Sequence, residues 1–405
     1  MTTTINNEHK KLNVPNLRFP EFSGEWKIVS LQEIASINPK SEPLQNRFFY
    51  IDLEAVEKGE LRKKQEILQR EAPSRAQRVI INNDILFQCV RPYQKNNYIH
   101  KELSSSKMQW VASTGYAQIR TTESPNYVYH LLNTDGFNRK VMVRCTGSSY
   151  PAINSEDLST IRFYLSTDKN EQCKIARLLD LLDERIATQN KIIDKLQSLI
   201  KGLNDSLYQQ YGNEIKTSFV GLGQSYSGLS GKSADDFGTG KPFITYLNVY
   251  ANNVVNEKEY QYVRINEDEK QNIVQNGDVL FTLSSETPEE VGIGSVYLGN
   301  DEVYLNSFCF GIHITNKELA YPPYISYYVS STSFRKFIYP FAQGSTRFNL
   351  CKASFEKAKI KLPSLDNQKH ICAVLSAITK KIEVEKAMLE HYTIKKRYLL
   401  RQMFI

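Results

Sequence analysis

At 405 residues, with 41% hydrophobic and 11% aromatic content, the chain is long enough for two or three packed domains and is not a disordered one. It has no uncharged apolar run of 18 residues, and its start, MTTTINNEHKKLNVPNLRFPEF, has no apolar h-region, so neither a membrane span nor a secretory leader is expected, and a cytoplasmic protein is. Six cysteines with no C-x-x-C pair signal neither a zinc site nor a disulfide framework, and a net charge of +7 suits a polyanion partner without requiring one.

In chain order, residues 1–23 read as an extended segment, with Pro15 and Pro20, expected to pack near the C-terminal helix. Residues 24–167 follow as a mixed α/β domain. RFFYIDL, RVIINNDILF and VASTGYAQIR are strand-like, rich in β-branched and aromatic residues and bounded by turn residues. A helical stretch, NYVYHLLNTDGFNRKV, comes next. Residues 168–212 form a long helix. Residues 213–364 form a second α/β domain with strands FITYLNVY, DVLFTL, SVYL and SFCFGIHI, and residues 365–405 form a second long helix. The pattern leaves parallel and antiparallel sheets both open.

The second domain repeats the first. NNDILF (82–87) returns as NGDVLF (276–281), 194 residues later. YIDL (50–53) is answered by YLNV (246–249), PNYVYHLL (125–132) by PPYISYYV (322–329), and Gly147-Ser148 by Gly344-Ser345. All offsets fall between 194 and 197, far longer than any solenoid period, so two whole domains stand in tandem. Asp84 and Asp278, each in a turn feeding a buried strand, read as scaffold.

Each repeat ends in a heptad seam. In the first it runs Ile175, Leu179, Leu182, Ile186, Gln189, Ile193, Leu196, Ile200, Leu203 and Leu207. In the second it runs Ile371, Leu375, Ile378, Ile382, Glu385, Leu389, Tyr392, Lys396, Leu399 and Met403. Steps of four and three alternate throughout, which suits a coiled coil. Each seam is about 48 Å long at 1.5 Å per residue. The simplest partner for each seam is the other, antiparallel, with Gln189 and Glu385 as polar positions that can fix register; separate amphipathic helices, each packed on its own domain, are the alternative.

Enzyme signatures fail one by one. GLSGKS (228–233) ends like a phosphate-binding loop, but Tyr226 stands where that loop needs Gly. YPPY (321–324) has the Pro-Pro-aromatic of amino-methyltransferases, but Tyr321 replaces the Asn or Asp that grips a flipped base. No Pro-Asp dipeptide marks a metal nuclease, and the histidines are scattered. A non-catalytic chain without metal or cofactor is expected. The copies differ most in the loop after the Asp strand. In QCVRPYQKNNYIHK (88–101), composition alone fits an ordinary solvated loop, and Arg91, Tyr93, Lys95, Asn96 and Tyr98 are candidate DNA contacts, because Arg and Asn can bind guanine and adenine bidentately while Tyr and Lys commonly meet phosphate. In the second copy, Ser284, Ser285 and Glu286 of TLSSETPEEVGIG are candidates, with Lys232, Arg335, Lys336 and Arg347 as basic ones.

The segments PNLRFPEFSGEW, NNDILFQCVRPY, VASTGYAQIR, GLSGKSADDFGTGKPFITYLNVY, NGDVLF, SSETPEEVG, QGSTRFNL and IKLPSLDNQKHICAVL, in a domain–helix–domain–helix order, resemble the specificity (S) subunits of type I restriction-modification enzymes. The first copy departs from this pattern at TGSSYPAI, where the second has QGSTRFNL. The resemblance implies an α+β fold of two tandem target-recognition domains joined by two long antiparallel coiled-coil helices with pseudo-two-fold symmetry. It implies that each domain reads half of a bipartite double-stranded DNA target, while the helices set the spacer and dock two modification (methyltransferase) subunits. S-adenosylmethionine, and ATP with Mg for the restriction subunits, would be bound by those partners. A coiled-coil adaptor without DNA contact, and a nuclease or methyltransferase with an unrecognised site, are the alternatives.

Overall fold

The computed structural model describes residues 13–101 and 108–405. The chain divides into two compact units, residues 1–190 with 388–405 and residues 191–387. Two long helices, Lys169–Tyr211 and Leu365–Gln402, each belong partly to one unit and partly to the other.

In the first unit, an antiparallel sheet orders the strands Ala35–Ile37, Tyr116–Thr121, Ile85–Gln88 and Tyr98–Ile99. The strand Ile85–Gln88 is buried on both faces, which explains its unbroken apolar run. A second sheet orders Gln65–Leu68, Arg47–Ile51, Gln109–Ser113 and Ala76–Ile80, with one parallel pair between Arg47–Ile51 and Gln109–Ser113. The second unit repeats the plan. Gly223–Ser227, Cys309–Ile314, Val279–Thr282 and Gly294–Val296 form its antiparallel sheet. Phe237–Ile244 pairs in parallel with Tyr304–Leu305 and antiparallel with Gln261–Val263. Among the described residues the direction left open by the pattern is thus mostly antiparallel, with a parallel strand pair in each unit and an isolated parallel bridge, Val254 to Val296, in the second.

The duplicated aspartates hold equivalent turns. The Asp84 amide donates to the Ile81 carbonyl at 3.1 Å, and that of Asp278 to Gln275 at 3.0 Å. The residue before each aspartate is left-handed, Asn83 at φ 71° and Gly277 at φ 93°. Asn and Gly are the residues that adopt this conformation at least cost, which accounts for N-N-D and N-G-D. Each carboxylate also accepts from the backbone three residues earlier, at 2.9 Å from Ile81 and 2.8 Å from Gln275. The cross-strand partners differ. Asp84 takes Arg120 in a bidentate pair and Gln118, all at 2.8 Å. Asp278 takes Tyr226 at 2.7 Å and His313 at 2.8 Å. Both carboxylates are buried, and burial pushes that of Asp278 above the usual range. They are scaffold.

The heptad seams are legible in the burial. Ile175, Leu179, Leu182, Gln189 and Ile193 are buried, and Ile186, Leu196, Ile200, Leu203 and Leu207 are partly so. In the second helix Ile371, Leu375, Ile382, Glu385, Leu399 and Met403 are buried, and Ile378, Leu389, Tyr392 and Lys396 partly. No seam position is exposed. In the first unit, Leu179 and Leu182 share a core with Leu399, Met403 and Phe404, and Lys396 pairs with Asp183. In the second unit, Ile200, Leu203 and Leu207 pack on the core that holds Ile371 and Leu375. The start of one helix thus lies with the end of the other in each unit, so the pairing is antiparallel. The buried Glu385 carboxylate meets Lys381, one turn away, at 2.5 Å. The helix passes through the exposed Gly202 without a break. Of the N-terminal segment, residues 1–12 lie outside the described residues, and the described part, 13–23, meets the C-terminal helix at Leu17. The Leu17 amide donates to the Gln402 carbonyl at 2.9 Å, and Trp26 meets Phe404 edge-on.

Candidate nucleic-acid interface

In each unit the strand after the aspartate turn runs into the segment that carries most candidate DNA contacts. In the first unit this segment is held by a hairpin. Thr146 and Ala152 exchange two backbone hydrogen bonds of 2.9 Å, closing the loop 147–151. Val90 bridges Ala152, and the Arg91 amide donates to the Pro151 carbonyl at 2.7 Å. The second unit builds the same frame. Gln343 pairs with Asn349, Ser284 with Asn349, and Ser285 with Phe348. TGSSYPAI and QGSTRFNL, which diverge in sequence, therefore fold as one hairpin. Gly147 and Gly344 begin both loops with positive φ, 87° and 137°, and fold back over the carbonyl of the residue three positions on. Tyr150 and Arg347 occupy the same tip position.

Arg91 is left-handed at φ 54°, as is Lys95, an uncommon state for either residue. Between them Pro92–Gln94 makes one 3₁₀ turn. The Arg91 guanidinium lies over the Tyr150 ring, 4.3 Å from its centroid. Among the described residues it donates no hydrogen bond and meets no carboxylate. Tyr93 is exposed beside it.

The other first-unit candidates are spent on the loop itself. Lys95 donates to Asp135 at 2.5 Å and to the Asn133 carbonyl at 3.1 Å. The Asn96 carbonyl oxygen accepts from the Lys58 amide at 3.0 Å. Tyr98 is mostly buried, and burial raises its phenol pKa. These three shape the loop that presents Arg91 and Tyr93.

In the second unit, Arg347 and Glu286 are exposed. Arg347 lies 6.0 Å from the ring centroid of Phe308, itself more than half exposed. Four expected contacts require correction. Ser284 and Ser285 are buried in the strand that grips the hairpin, and the Ser285 hydroxyl donates to Glu290 at 3.1 Å. Lys232 is an ion-pair partner of Glu269, with only 5% of its side chain exposed. A charged side chain in a loop reads as solvated in sequence, and only the tertiary pairing reveals otherwise. Arg335 is likewise structural: it donates to the carbonyls of Glu289, Val291 and Gly292, and burial pushes its pKa down to about 10.

Tyr150 and Phe308 stand outside the candidate contacts that the sequence suggests. The 197-residue offset that pairs Gly147 with Gly344 also places Tyr150 opposite Arg347, so the signal for Tyr150 was present. Phe308 carries no such signal. Among the described residues no His, Cys, Asp and Glu side chains gather into a metal-binding group, and no helix is long and apolar enough to cross a membrane.

The family model of the type I restriction modification DNA specificity domain matches residues 23–198 and 229–391. A chain from a structure on complex assembly and conformational transition of the type I R-M system is 20% identical. The match covers 93% of this chain and 96% of that one, with a TM-score of 0.57. The type I restriction-modification S subunit from M. genitalium is 15% identical over 97% of this chain and 99% of its own, with a TM-score of 0.55. At these identities the structural likeness speaks for the fold.

Proposed function

This chain belongs to the family of type I restriction modification DNA specificity domains, and we propose that each of its units reads one half of a bipartite duplex target while the long helices set the gap between halves. The chain is the DNA-specificity subunit of its system, not a catalytic one. One observation carries the two-half reading. The same hairpin frame is built twice, with Tyr150 at one tip and Arg347 at the other. A protein reading one repeated sequence would have no use for unlike tips on like frames.

The helices dock two modification subunits, which bind S-adenosylmethionine, and restriction subunits using ATP with Mg join that complex. This chain itself takes no cofactor, and the assembly works in the cytoplasm. Docking is supported by apolar side chains left exposed along both helices: Leu181, Ile192 and Leu199 on the first, Val384, Ile394 and Tyr398 on the second. Docked subunits would take these side chains out of water.

The test is long-read sequencing of adenine methylation in the host, with the gene intact and deleted. Loss of one two-part motif with a fixed gap is expected. Persistence of every motif, in a host where the modification subunits are made and co-purify with the chain, would refute the proposal.

A further inference from the structure

We propose that each unit reads base edges with an arginine positioned by an exposed aromatic ring at the hairpin: Arg91 on Tyr150 in the first unit, Arg347 beside Phe308 in the second. The proposal rests on the DNA-reading function above and assigns Tyr150 and Phe308 as specificity-positioning residues.

Three features lead there. First, the ring occupies the face of the Arg91 guanidinium and leaves its N–H edges unspent, with no protein acceptor among the described residues. A guanidinium held flat, with a free fork, is the geometry that meets guanine O6 and N7 bidentately. Secondly, the rings are placed at a cost. Tyr150 is 63% exposed and Phe308 58%, and the Arg91 whose guanidinium lies over Tyr150 has a left-handed backbone. Thirdly, the two pairs arise differently on one frame. The tip supplies the ring in the first unit and the arginine in the second. The partner comes from the loop after the aspartate strand in one case, and in the other from Phe308, just before the strand Cys309–Ile314. Both units thus have an arginine–aromatic pair at the hairpin, in different positions on it, as two unlike half-sites require.

The full chain, co-produced with its modification subunits, would be used to select duplexes from a randomised pool. Wild type should enrich a two-part motif. Tyr150→Ala should lower base preference at one or two positions of one half by about tenfold, within the range for losing one bidentate contact, and leave the other half intact. Phe308→Ala should do the same in the other half only. Tyr150→Phe keeps the ring and should restore the wild-type motif.

An unchanged motif with Tyr150→Ala, or a uniform loss of affinity with the motif intact, would overturn the proposal. If Tyr150→Ala does not fold, Arg91→Lys, which keeps the charge but loses the fork, must weaken the same half; an intact motif there would be equally fatal. A wild-type complex that enriches no motif would instead overturn the DNA-reading function itself.

Discussion

Replacing each duplicated aspartate by asparagine should cost unequal amounts, because the two are held by different partners. Asp84 accepts four hydrogen bonds of 2.8–2.9 Å: two from Arg120, one from Gln118 and one from the Ile81 amide. Asparagine removes the charge and turns one oxygen into a donor facing other donors. Breaking a buried ion pair costs about 3–5 kcal/mol. Arg120 keeps 38% of its side chain in contact with water and can be rehydrated, so the lower end, about 3 kcal/mol, is expected. Asp278 accepts three hydrogen bonds, from Gln275, Tyr226 and His313, and its ionised form is disfavoured by burial. Asparagine there sheds a desolvated charge and can keep part of the hydrogen-bond set, for a net cost of about 1–1.5 kcal/mol. A chain of two units does not unfold in one step, so a global midpoint is the wrong measure. Hydrogen exchange of the amides in Ile85–Gln88 and Val279–Thr282 reports the local opening free energies. If Asp278→Asn costs as much as Asp84→Asn, or more, the reasoning from partners and burial fails.

Three further outcomes are expected. Lys232→Ala should leave the slope of DNA affinity against salt unchanged, because that amine is committed to Glu269; a slope reduced by about 0.9 would show that the lysine reaches phosphate. Four residues inserted after Gln189 lengthen the helix by about 6 Å and should change the gap between half-sites in the methylated motif. An unchanged gap in a folded, active variant would rule out the helices as a ruler. The raised pKa of Asp278 means that the folded chain holds that proton more tightly than the unfolded one. Its contribution to stability is therefore complete below the unfolded value, about 3.9, and is lost as pH rises through the folded value. Exchange-derived stability of Val279–Thr282 should decline less over that rise in Asp278→Asn than in wild type, and a steeper decline in the variant would contradict the assignment.

The repeat, the seams and the aspartate turns were legible because each is written locally. A seven-residue period survives into the burial of Ile175, Leu179 and Leu182. N-N-D and N-G-D specify a left-handed residue by their own chemistry. What was not legible depends on distant partners. The parallel pairing of Arg47–Ile51 with Gln109–Ser113 joins strands some 60 residues apart, with nothing in either strand to name the other. Lys95, Lys232 and Asn96 have the residue types of a DNA-contacting loop, yet Asp135, Glu269 and the Lys58 amide claim them. The 197-residue offset marks Tyr150 as a tip residue, but its partner is not written there: only the hairpin brings Arg91 over the ring.

The core of the first unit is closed by residues at the end of the second long helix, made some two hundred residues after the rest of that unit. Trp26, Tyr127 and Leu179 share one apolar cluster with Leu399, Met403 and Phe404. A ribosome adding 5–20 residues per second takes roughly 10–40 s to pass from residue 190 to residue 388. During that interval the nascent first unit has every strand but lacks its final wall, and its apolar side chains have only water or a chaperone to face. The second unit is complete before the first, although it is made later. Synthesis rate and chaperone supply therefore bear on the first unit far more than on the second, and a premature stop that removes only the last turn of the C-terminal helix would be felt first in the domain whose own sequence ended some two hundred codons earlier.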